Sequence, residues 1–406
     1  MTGKNRTLVV AGHGMAGHRL VEELRALDTA GSWRVVVLAE EPHAAYDRVA
    51  LSSYLEGRSA ADLGLPSPGL ASDPRVALRL ATGAASIDRA ARTVTTTAGD
   101  TVGYDALVLA TGSKPFIPPV PGHDLPGCFA YRTLTDLDAI REAAVPGRPG
   151  VVIGGGLLGL EAANALRLLG MEPHVVELAP RLMPMQVDAA GGGVLGRRVE
   201  DRGLRVHCGV ATASVEAGPD GRARAVALAD GTELEAAVVV FSAGVRPRDE
   251  LAGPAGLERG ERGGFLVDGL CRTADERVWA VGECAAVSGR CYGLAAPGYR
   301  MAESVARQLC DLGGDPFGEA DMSTRLKLLG VEVASFGDAH AGTDGALELS
   351  RLDETRGTYA KVVLGSDGRT LLGGILVGDA AAYGELQPFV GRALPSAGHR
   401  LLAAAG

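Results

Sequence analysis

Two glycine-rich turns have the clearest chemistry in this sequence: GHGMAG at residues 12–17 and GGGLLG at residues 154–159. In such a turn the first glycine permits a tight bend, the second lets the backbone approach a pyrophosphate, and the third lets a helix pack on its strand. Backbone N–H groups at the start of the helix then hold the phosphates. Two such turns in one chain indicate two bound dinucleotides. Passing electrons between them is the simplest reason for one protein to hold both. The residues predicted to line the turns are Gly12, Gly14, Met15, Ala16, Gly17, Gly154, Gly156, Leu157, Leu158 and Gly159.

A carboxylate follows each turn at the distance that the motif expects, about 20 residues. Glu40 ends one apolar run and Glu177 ends the other, so each is predicted to accept two ribose hydroxyls. A carboxylate receives a 2′-hydroxyl but repels a 2′-phosphate, so Glu177 favours NADH over NADPH. Arg181 stands four residues further on and could reach a phosphate, which leaves some use of NADPH open.

Apolar patterning places both turns in strand–turn–helix units. The first unit has strands over residues 7–11 and 34–38 around a helix over 15–27, and the second has strands over 151–153 and 173–176 around a helix over 157–169. Continuous apolar runs of this kind are typical of parallel strands that are covered on both faces. From about residue 322 the pattern changes to five hairpin-like strands and a closing helix over 383–392.

This pattern predicts an α/β protein with two Rossmann-like dinucleotide-binding domains and a C-terminal α+β domain. Prolines at 115–121 mark a boundary, and the chain is expected to return to the first domain after residue 241. The predicted domains are residues 1–120 with 241–320, residues 121–240, and residues 321–406.

The composition and charge of the chain argue against several classes of protein and partner. The chain has 406 residues, a net charge of −9 and six cysteines. The negative charge argues against a nucleic-acid or acidic-lipid partner. No signal peptide and no membrane span are visible, so we expect a cytoplasmic protein. No two cysteines stand at a metal-binding or redox spacing, so we predict small packed thiols, no disulfide framework and no metal site.

Three further motifs carry a family resemblance. They are ATGSKP at residues 110–115, AGVRP at 243–247, and Thr273 followed by WAVGE at 279–283. With the two glycine turns, they resemble the two-dinucleotide-binding-domain flavoproteins, whose fold is glutathione-reductase-like. The resemblance implies FAD at the first turn and NAD(P)H at the second. It also implies that Ala110, Thr111, Gly112, Gly244, Gly282 and Glu283 contact the cofactors. Glu283 stands where the family usually has aspartate, and either carboxylate can accept a ribityl hydroxyl.

Longer strings narrow the resemblance. Residues 41–54, 154–163, 293–302, 326–331 and 337–340 are similar to the flavin portion of the assimilatory NAD(P)H-dependent nitrite reductase large subunits, over about residues 5–395. Those subunits continue into a cysteine cluster and a sirohaem-binding half. This sequence ends at Gly406 without them, so we expect a stand-alone module that cannot reduce nitrite by itself.

The resemblance also assigns roles at the flavin. Related disulfide reductases carry redox cysteines in the stretch that corresponds to residues 48–56, which here has none, so electrons are expected to leave FAD directly. Glu161 is expected beside flavin and nicotinamide, with Arg48 as its charge partner or as a flavin contact. The segment 295–299, which contains Pro297, is expected to start a helix whose N-terminus faces the flavin. A surface carboxylate for Glu161 and a structural ion pair for Arg48 remain the alternatives.

The leading hypothesis is an FAD-dependent NAD(P)H oxidoreductase that feeds an assimilatory nitrite or nitrate reductase. A ferredoxin or rubredoxin reductase that serves a monooxygenase is the first alternative, and an NAD-dependent redox-sensing flavoprotein is the second. In the first two cases the partner is a redox protein that accepts the electrons. A homodimer is also possible.

Overall fold

The computed structural model describes residues 6–66, 69–70, 72–318 and 320–394, and these residues form two compact units. The first unit comprises the described parts of Met1–Tyr54, Arg58–Lys114 and Val245–Ala320. The second comprises those of Leu55–Gly57, Pro115–Gly244 and Asp321–Gly406. One glycine turn lies in each unit. The three-domain division made from the sequence stays a proposal.

A five-stranded parallel sheet forms the centre of the first unit. Its strands, in spatial order, are Val278–Ala280, Ala106–Leu109, Arg6–Ala11, Trp33–Leu38 and Val76–Arg79. Helices Met15–Leu27 and Ala295–Leu309 pack on each other. Because the carboxyl ends of parallel strands meet at one edge of a sheet, the first glycine turn, Glu40 and residues 110–112 share that edge.

Smaller elements complete the first unit. The stretch that follows Glu40 contains three short helical turns between residues 48 and 63. The short helices are Arg48–Ala50, Ser52–Leu55, Ala60–Leu63, Ala252–Ala255 and Gly282–Cys284. The short strands are Ala84–Asp88, Thr93–Thr96, Thr101–Gly103, Ser113–Pro115, Val245–Pro247, Phe265–Val267, Ala285–Val287 and Arg290–Cys291.

A second five-stranded parallel sheet lies in the second unit. Its strands, in spatial order, are Arg205–Cys208, Glu172–Glu177, Pro149–Ile153, Val238–Phe241 and Cys128–Ala130. The helices of this part are Leu134–Ala143, Leu157–Leu168 and Ala189–Glu200, and an antiparallel sheet contains Thr212–Ala217, Ala223–Leu228 and Glu233–Glu235. The imidazoles of His174 and His207 stack on neighbouring strands, with 3.1 Å between Nδ1 of the first and Nε2 of the second.

The C-terminal part of the second unit is an antiparallel sheet of the five predicted hairpin strands. In spatial order they are Thr324–Leu328, Val331–Gly337, Leu371–Gly378, Thr358–Leu364 and Leu347–Asp353. The closing helix is shorter than predicted: an α-helical turn covers Tyr383–Leu386 and a 3₁₀ turn covers Gln387–Phe389. Pro388 has no N–H to donate, so it cannot continue an α-helical hydrogen-bond ladder.

A buried ionic group joins this sheet to the helix Ala189–Glu200. Asp188 caps the helix by accepting from the Gly191 N–H at 2.9 Å, and it also accepts from the Tyr359 hydroxyl at 2.7 Å. Lys361 Nζ lies 3.3 Å from the Asp188 carboxylate and also pairs with Glu348. Lys361 is only 3% exposed, so these carboxylates balance a charge that would be costly to bury alone.

Candidate functional site

The first glycine turn has the geometry of a dinucleotide cradle. Gly12 has a φ of +114°, and a Cβ on it would lie 2.2 Å from the Ala110 carbonyl oxygen. A Cβ on Gly17 would lie 2.3 Å from the Gly12 carbonyl oxygen. Gly14, by contrast, has no atom closer than 4.0 Å to an added Cβ. The fold itself therefore requires the first and third glycines, while the second faces open space.

The second glycine turn repeats this arrangement in its own unit. Gly154 has a φ of +117°, and an added Cβ would lie 2.2 Å from the Ser242 carbonyl oxygen. A Cβ on Gly159 would lie 1.8 Å from the Gly154 carbonyl oxygen, whereas nothing lies within 4 Å of one on Gly156. Both turns leave room for a pyrophosphate at the second glycine.

The helix that follows each turn has no side chain capping its first N–H groups. Gly14 precedes Met15–Leu27 and Gly156 precedes Leu157–Leu168, and neither offers a side-chain acceptor. The first N–H groups of a helix lack partners within the helix, so those of Met15, Ala16, Leu157 and Leu158 are donors for an anion. The residues present fit a dinucleotide at both turns.

The structure brings several predicted residues together beside the first glycine turn. The Ala16 Cβ lies 3.0 Å from the position of a Cβ on Gly282 and 3.5 Å from one on Gly298. Pro297 is buried in the first turn of the helix Ala295–Leu309, which begins where the sequence indicated. Glu283 accepts a hydrogen bond from the Ser113 hydroxyl at 2.8 Å.

Glu40 forms a bidentate ion pair that the sequence did not reveal. Arg248 donates from Nη2 to Oε1 of Glu40 at 2.8 Å, and its Nη1 lies 2.6 Å from Oε2. The Arg248 N–H donates to the Gly112 carbonyl at 2.9 Å, and the Arg248 carbonyl accepts from the Thr111 hydroxyl at 2.5 Å. The only signal in the sequence was an arginine directly after the AGVRP motif, 208 residues from its partner.

Arg48 lies at the open side of the first glycine turn. Its Nε is the atom 4.0 Å from a Cβ on Gly14. Its guanidinium pairs with Glu41 and lies over the Tyr46 ring, 4.9 Å from the centroid, while the Tyr46 hydroxyl donates to Glu41 at 2.7 Å. The contact with Glu41 is the structural ion pair that the sequence analysis left open as the alternative for Arg48, and a contact of Arg48 with the flavin stays a prediction. Glu41, next to Glu40, is a partner that sequence reasoning missed.

Glu177 is held at the second glycine turn by two backbone donors. Its carboxylate accepts from the Gly155 N–H at 2.6 Å and from the Ala179 N–H at 2.7 Å. Arg181, which could have bound a 2′-phosphate, instead donates from Nε to the Val187 carbonyl at 2.9 Å. The Glu177 carboxylate is therefore fixed at the end of its strand, beside the second glycine turn.

Glu161 lies on the helix Leu157–Leu168 of the second unit, and burial raises its pKa to about 7. Tyr131, in the same unit, is 3% exposed and its hydroxyl has no hydrogen-bond partner among the described residues. Burial is the main cause that raises the pKa of the Tyr131 hydroxyl, and the negative charge of Glu161 raises it further. Gly244 has a φ of +107° and no atom near an added Cβ. The pairing of Glu161 with Arg48 stays a prediction.

All six cysteines are free, and burial raises the pKa of each thiol. The pKa reaches about 12 for Cys271 and about 11 for Cys128, Cys208 and Cys291, and it is also raised for Cys284 and Cys310. Because the thiolate is the reactive form, none of them is primed for exchange. Within the described ranges no cluster of His, Cys, Asp and Glu could hold a metal, and no helix could cross a membrane.

Two family models match the sequence. The model described as pyridine nucleotide-disulphide oxidoreductase matches residues 6–306, and the model described as rubredoxin NAD+ reductase C-terminal domain matches residues 323–392. A nitrite reductase [NAD(P)H] large subunit of Klebsiella oxytoca is 50% identical over 96% of this chain and 40% of its own length. An assimilatory nitrate reductase electron transfer subunit of Bacillus subtilis is 34% identical over 93% of this chain and 48% of its own.

The chain thus spans less than half the length of these two curated relatives. Among solved structures, a ferredoxin reductase from Rhodopseudomonas palustris is similar with a TM-score of 0.86. It is 28% identical, and the match covers 99% of this chain and 100% of that one. The similarity extends over both parallel sheets and the C-terminal sheet.

Proposed function

Because the chain belongs to the pyridine nucleotide-disulphide oxidoreductase family, we propose that it oxidises NADH through FAD and passes the electrons to a separate redox protein. The chain is an oxidoreductase, and its cofactors are FAD and a nicotinamide nucleotide. One observation carries the proposal: two glycine turns of the same geometry, each with open space at its second glycine.

FAD, when bound, accepts a hydride from a nicotinamide and releases electrons one at a time. We assign it to the first glycine turn, where the N–H groups of Met15 and Ala16 hold its pyrophosphate. Glu40 accepts the ribose hydroxyls and Glu283 accepts from the ribityl chain. Arg48 contributes a positive charge beside the turn, because its Nε lies close to Gly14.

We assign NADH to the second glycine turn. Its pyrophosphate meets the N–H groups of Leu157 and Leu158, and Glu177 receives the ribose hydroxyls. The preference for NADH is supported by the fixed Glu177 carboxylate and by the contact of Arg181 with a backbone carbonyl. Glu161 lies on the helix that this turn begins, so we propose it as the carboxylate beside the nicotinamide.

Direct transfer from FAD to the partner is supported by the state of the thiols. A thiol relay needs a low thiol pKa and an exposed sulfur. Here burial raises the pKa of all six thiols, and no cysteine occurs in residues 48–56. The chain's own residues therefore bind and orient the two cofactors without forming a covalent intermediate.

We propose that the electron acceptor is the catalytic component of an assimilatory nitrite or nitrate reductase. The K. oxytoca and B. subtilis relatives support this choice by their names and by similarity over nearly the whole of this chain. A ferredoxin or rubredoxin acceptor is the second candidate, and the C-terminal family model and the R. palustris structure favour it. The cytoplasmic location and the homodimer stay predictions of the sequence.

Anaerobic NADH oxidation by the FAD-loaded protein tests the proposal. Purified nitrite reductase, nitrate reductase, ferredoxin and rubredoxin are supplied in turn as acceptors, and reduction of each is followed by its own absorbance. We expect fast flavin bleaching by NADH and rapid turnover with one of the first two. Rapid turnover only with ferredoxin or rubredoxin would establish the second candidate, and no turnover with any of the four would refute electron delivery. A sample treated with a thiol-alkylating reagent should retain full activity.

A further inference from the structure

The ion pair between Arg248 and Glu40 is a bidentate contact at the sheet edge that carries the first glycine turn. Nη2 of Arg248 lies 2.8 Å from Oε1 of Glu40, and Nη1 lies 2.6 Å from Oε2. Arg–carboxylate pairs of this bidentate kind are stronger and more directional than single ionic contacts. The two side chains are partly exposed, 37% for Arg248 and 59% for Glu40, so the pair contributes little to the overall stability of the protein.

Arg248 is fixed at its backbone as well as at its side chain. Its N–H and carbonyl are both hydrogen-bonded to residues 111–112, directly after the strand Ala106–Leu109. Glu40 follows the strand Trp33–Leu38. The strand Arg6–Ala11 lies between those two strands, and the first glycine turn follows it. The ion pair therefore connects the two segments that flank the first glycine turn.

We propose that Arg248 is a positioning residue for FAD, holding the Glu40 carboxylate in place for the ribose and closing the segments on either side of the cofactor. A carboxylate has about four lone-pair sites, so two remain for ribose hydroxyls when Arg248 takes the other two. A carboxylate held by two bonds loses little further rotational freedom when the ribose arrives. The inference rests on FAD occupying the first glycine turn.

Release of FAD from the holoenzyme tests this role without any turnover. Diluted holoenzyme is followed by the rise in flavin fluorescence, and the FAD content after purification is read from absorbance. We expect release about tenfold faster for Arg248→Leu and for Glu40→Gln, which corresponds to about 1.4 kcal/mol of lost FAD binding, because in both variants the carboxylate is no longer held in place for the ribose. Arg248→Lys keeps the charge but cannot bridge both oxygens, so it should fall between Arg248→Leu and the wild type.

Two comparisons make the test specific. The double variant Glu40→Gln/Arg248→Leu should release FAD no faster than Glu40→Gln alone, because Arg248 acts on FAD only through the Glu40 carboxylate. Lys114→Leu breaks the neighbouring exposed pair with Glu250 and should release FAD at the wild-type rate.

Three results would overturn the proposal: wild-type release from Arg248→Leu, multiplicative losses in the double variant, or equal acceleration by Lys114→Leu. If Arg248→Leu does not fold, Arg248→Lys decides in the same way: faster release supports the role, and wild-type release refutes it. Failure of electron delivery to a redox protein would leave these rates unchanged, since no NADH or acceptor is present.

Discussion

Replacing Gly156 by alanine separates the fold of the second glycine turn from its binding function. Gly156 has φ −75° and ψ −177°, which any residue can adopt, and no atom lies within 4 Å of an added Cβ. Alanine is a poorer N-cap than glycine, but it also restricts the unfolded chain, and because these two effects oppose each other the free energy of unfolding should change by less than about 1 kcal/mol. The methyl group would instead occupy the space assigned to the pyrophosphate of NADH.

The expected increase in the KM for NADH can be worked out from the N–H donors at the start of the helix Leu157–Leu168. Displacing the pyrophosphate breaks at least one hydrogen bond to a charged acceptor, which contributes about 1.5–3 kcal/mol. The KM for NADH should therefore rise about 10- to 160-fold. The FAD content should not change, because Gly156 and the first glycine turn lie in different units.

Two other glycines of the second unit serve as controls in rapid-mixing measurements of flavin reduction by NADH. Gly196→Ala meets the same steric criterion within the helix Ala189–Glu200, so it should leave the KM unchanged and stabilise by about 0.5–1 kcal/mol. Gly159→Ala would press a methyl group against the Gly154 carbonyl and should destabilise the protein itself. An unchanged KM in Gly156→Ala would refute the assignment of NADH to this turn. Loss of FAD from that variant would mean that the two cofactors are assigned the wrong way round.

Four further outcomes are expected. Glu177→Arg should shift the ratio of kcat/KM for NADH over NADPH at least about tenfold toward NADPH, because a cation attracts a 2′-phosphate. Burial raises the pKa of Glu161 to about 7, and we place its carboxylate where positive charge develops on the nicotinamide as the hydride leaves. The rate of flavin reduction by NADH should therefore increase as the pH rises through about 7, because the carboxylate becomes ionised. Glu161→Gln should make this pH dependence much weaker. Burial lowers the pKa of His174 from 6.5 to about 4, so between these pH values the unfolded chain binds more protons than the folded protein. The contribution of His174 to the free energy of unfolding should be complete above pH 6.5 and fall by about 3 kcal/mol as the pH is lowered to 4. This free energy should fall less steeply in His174→Gln. Asp188→Ala removes a helix cap and one of the two carboxylates that pair with buried Lys361, so the free energy of unfolding in urea should fall by about 2–3 kcal/mol.

Each of these expectations has a result that contradicts it. Unchanged coenzyme selectivity in Glu177→Arg would remove that residue from the ribose site. A pH profile that persists in Glu161→Gln would assign the ionisation near pH 7 to another group. Acid unfolding of His174→Gln that matches the wild type would show that this imidazole does not dominate acid sensitivity. An Asp188→Ala variant as stable as the wild type would mean that the buried ionic group contributes nothing.

Local patterns were predicted well because their determinants are close in sequence. The helix over 15–27 and the five hairpin strands of the C-terminal part were confirmed. Two helices of the second unit, Leu134–Ala143 and Ala189–Glu200, were missed. The first had a readable signal, a capping box formed by Thr133 and Asp136. The second contains four glycines, which weaken any helix propensity, and its formation depends on packing against the C-terminal sheet.

The sequence by itself determined the two dinucleotide turns and the carboxylates that follow them, because a strand, a turn and a helix joined by a short chain leave few other arrangements. Only the tertiary structure decided which charges meet. Arg248 reaches Glu40 across 208 residues, and Lys361 reaches Asp188 across 173. It also decided that burial raises the pKa of every thiol and brings that of Glu161 to about 7. Such contacts depend on how distant segments pack, and burial is a property of the folded whole, so neither is encoded in a local spacing of residues.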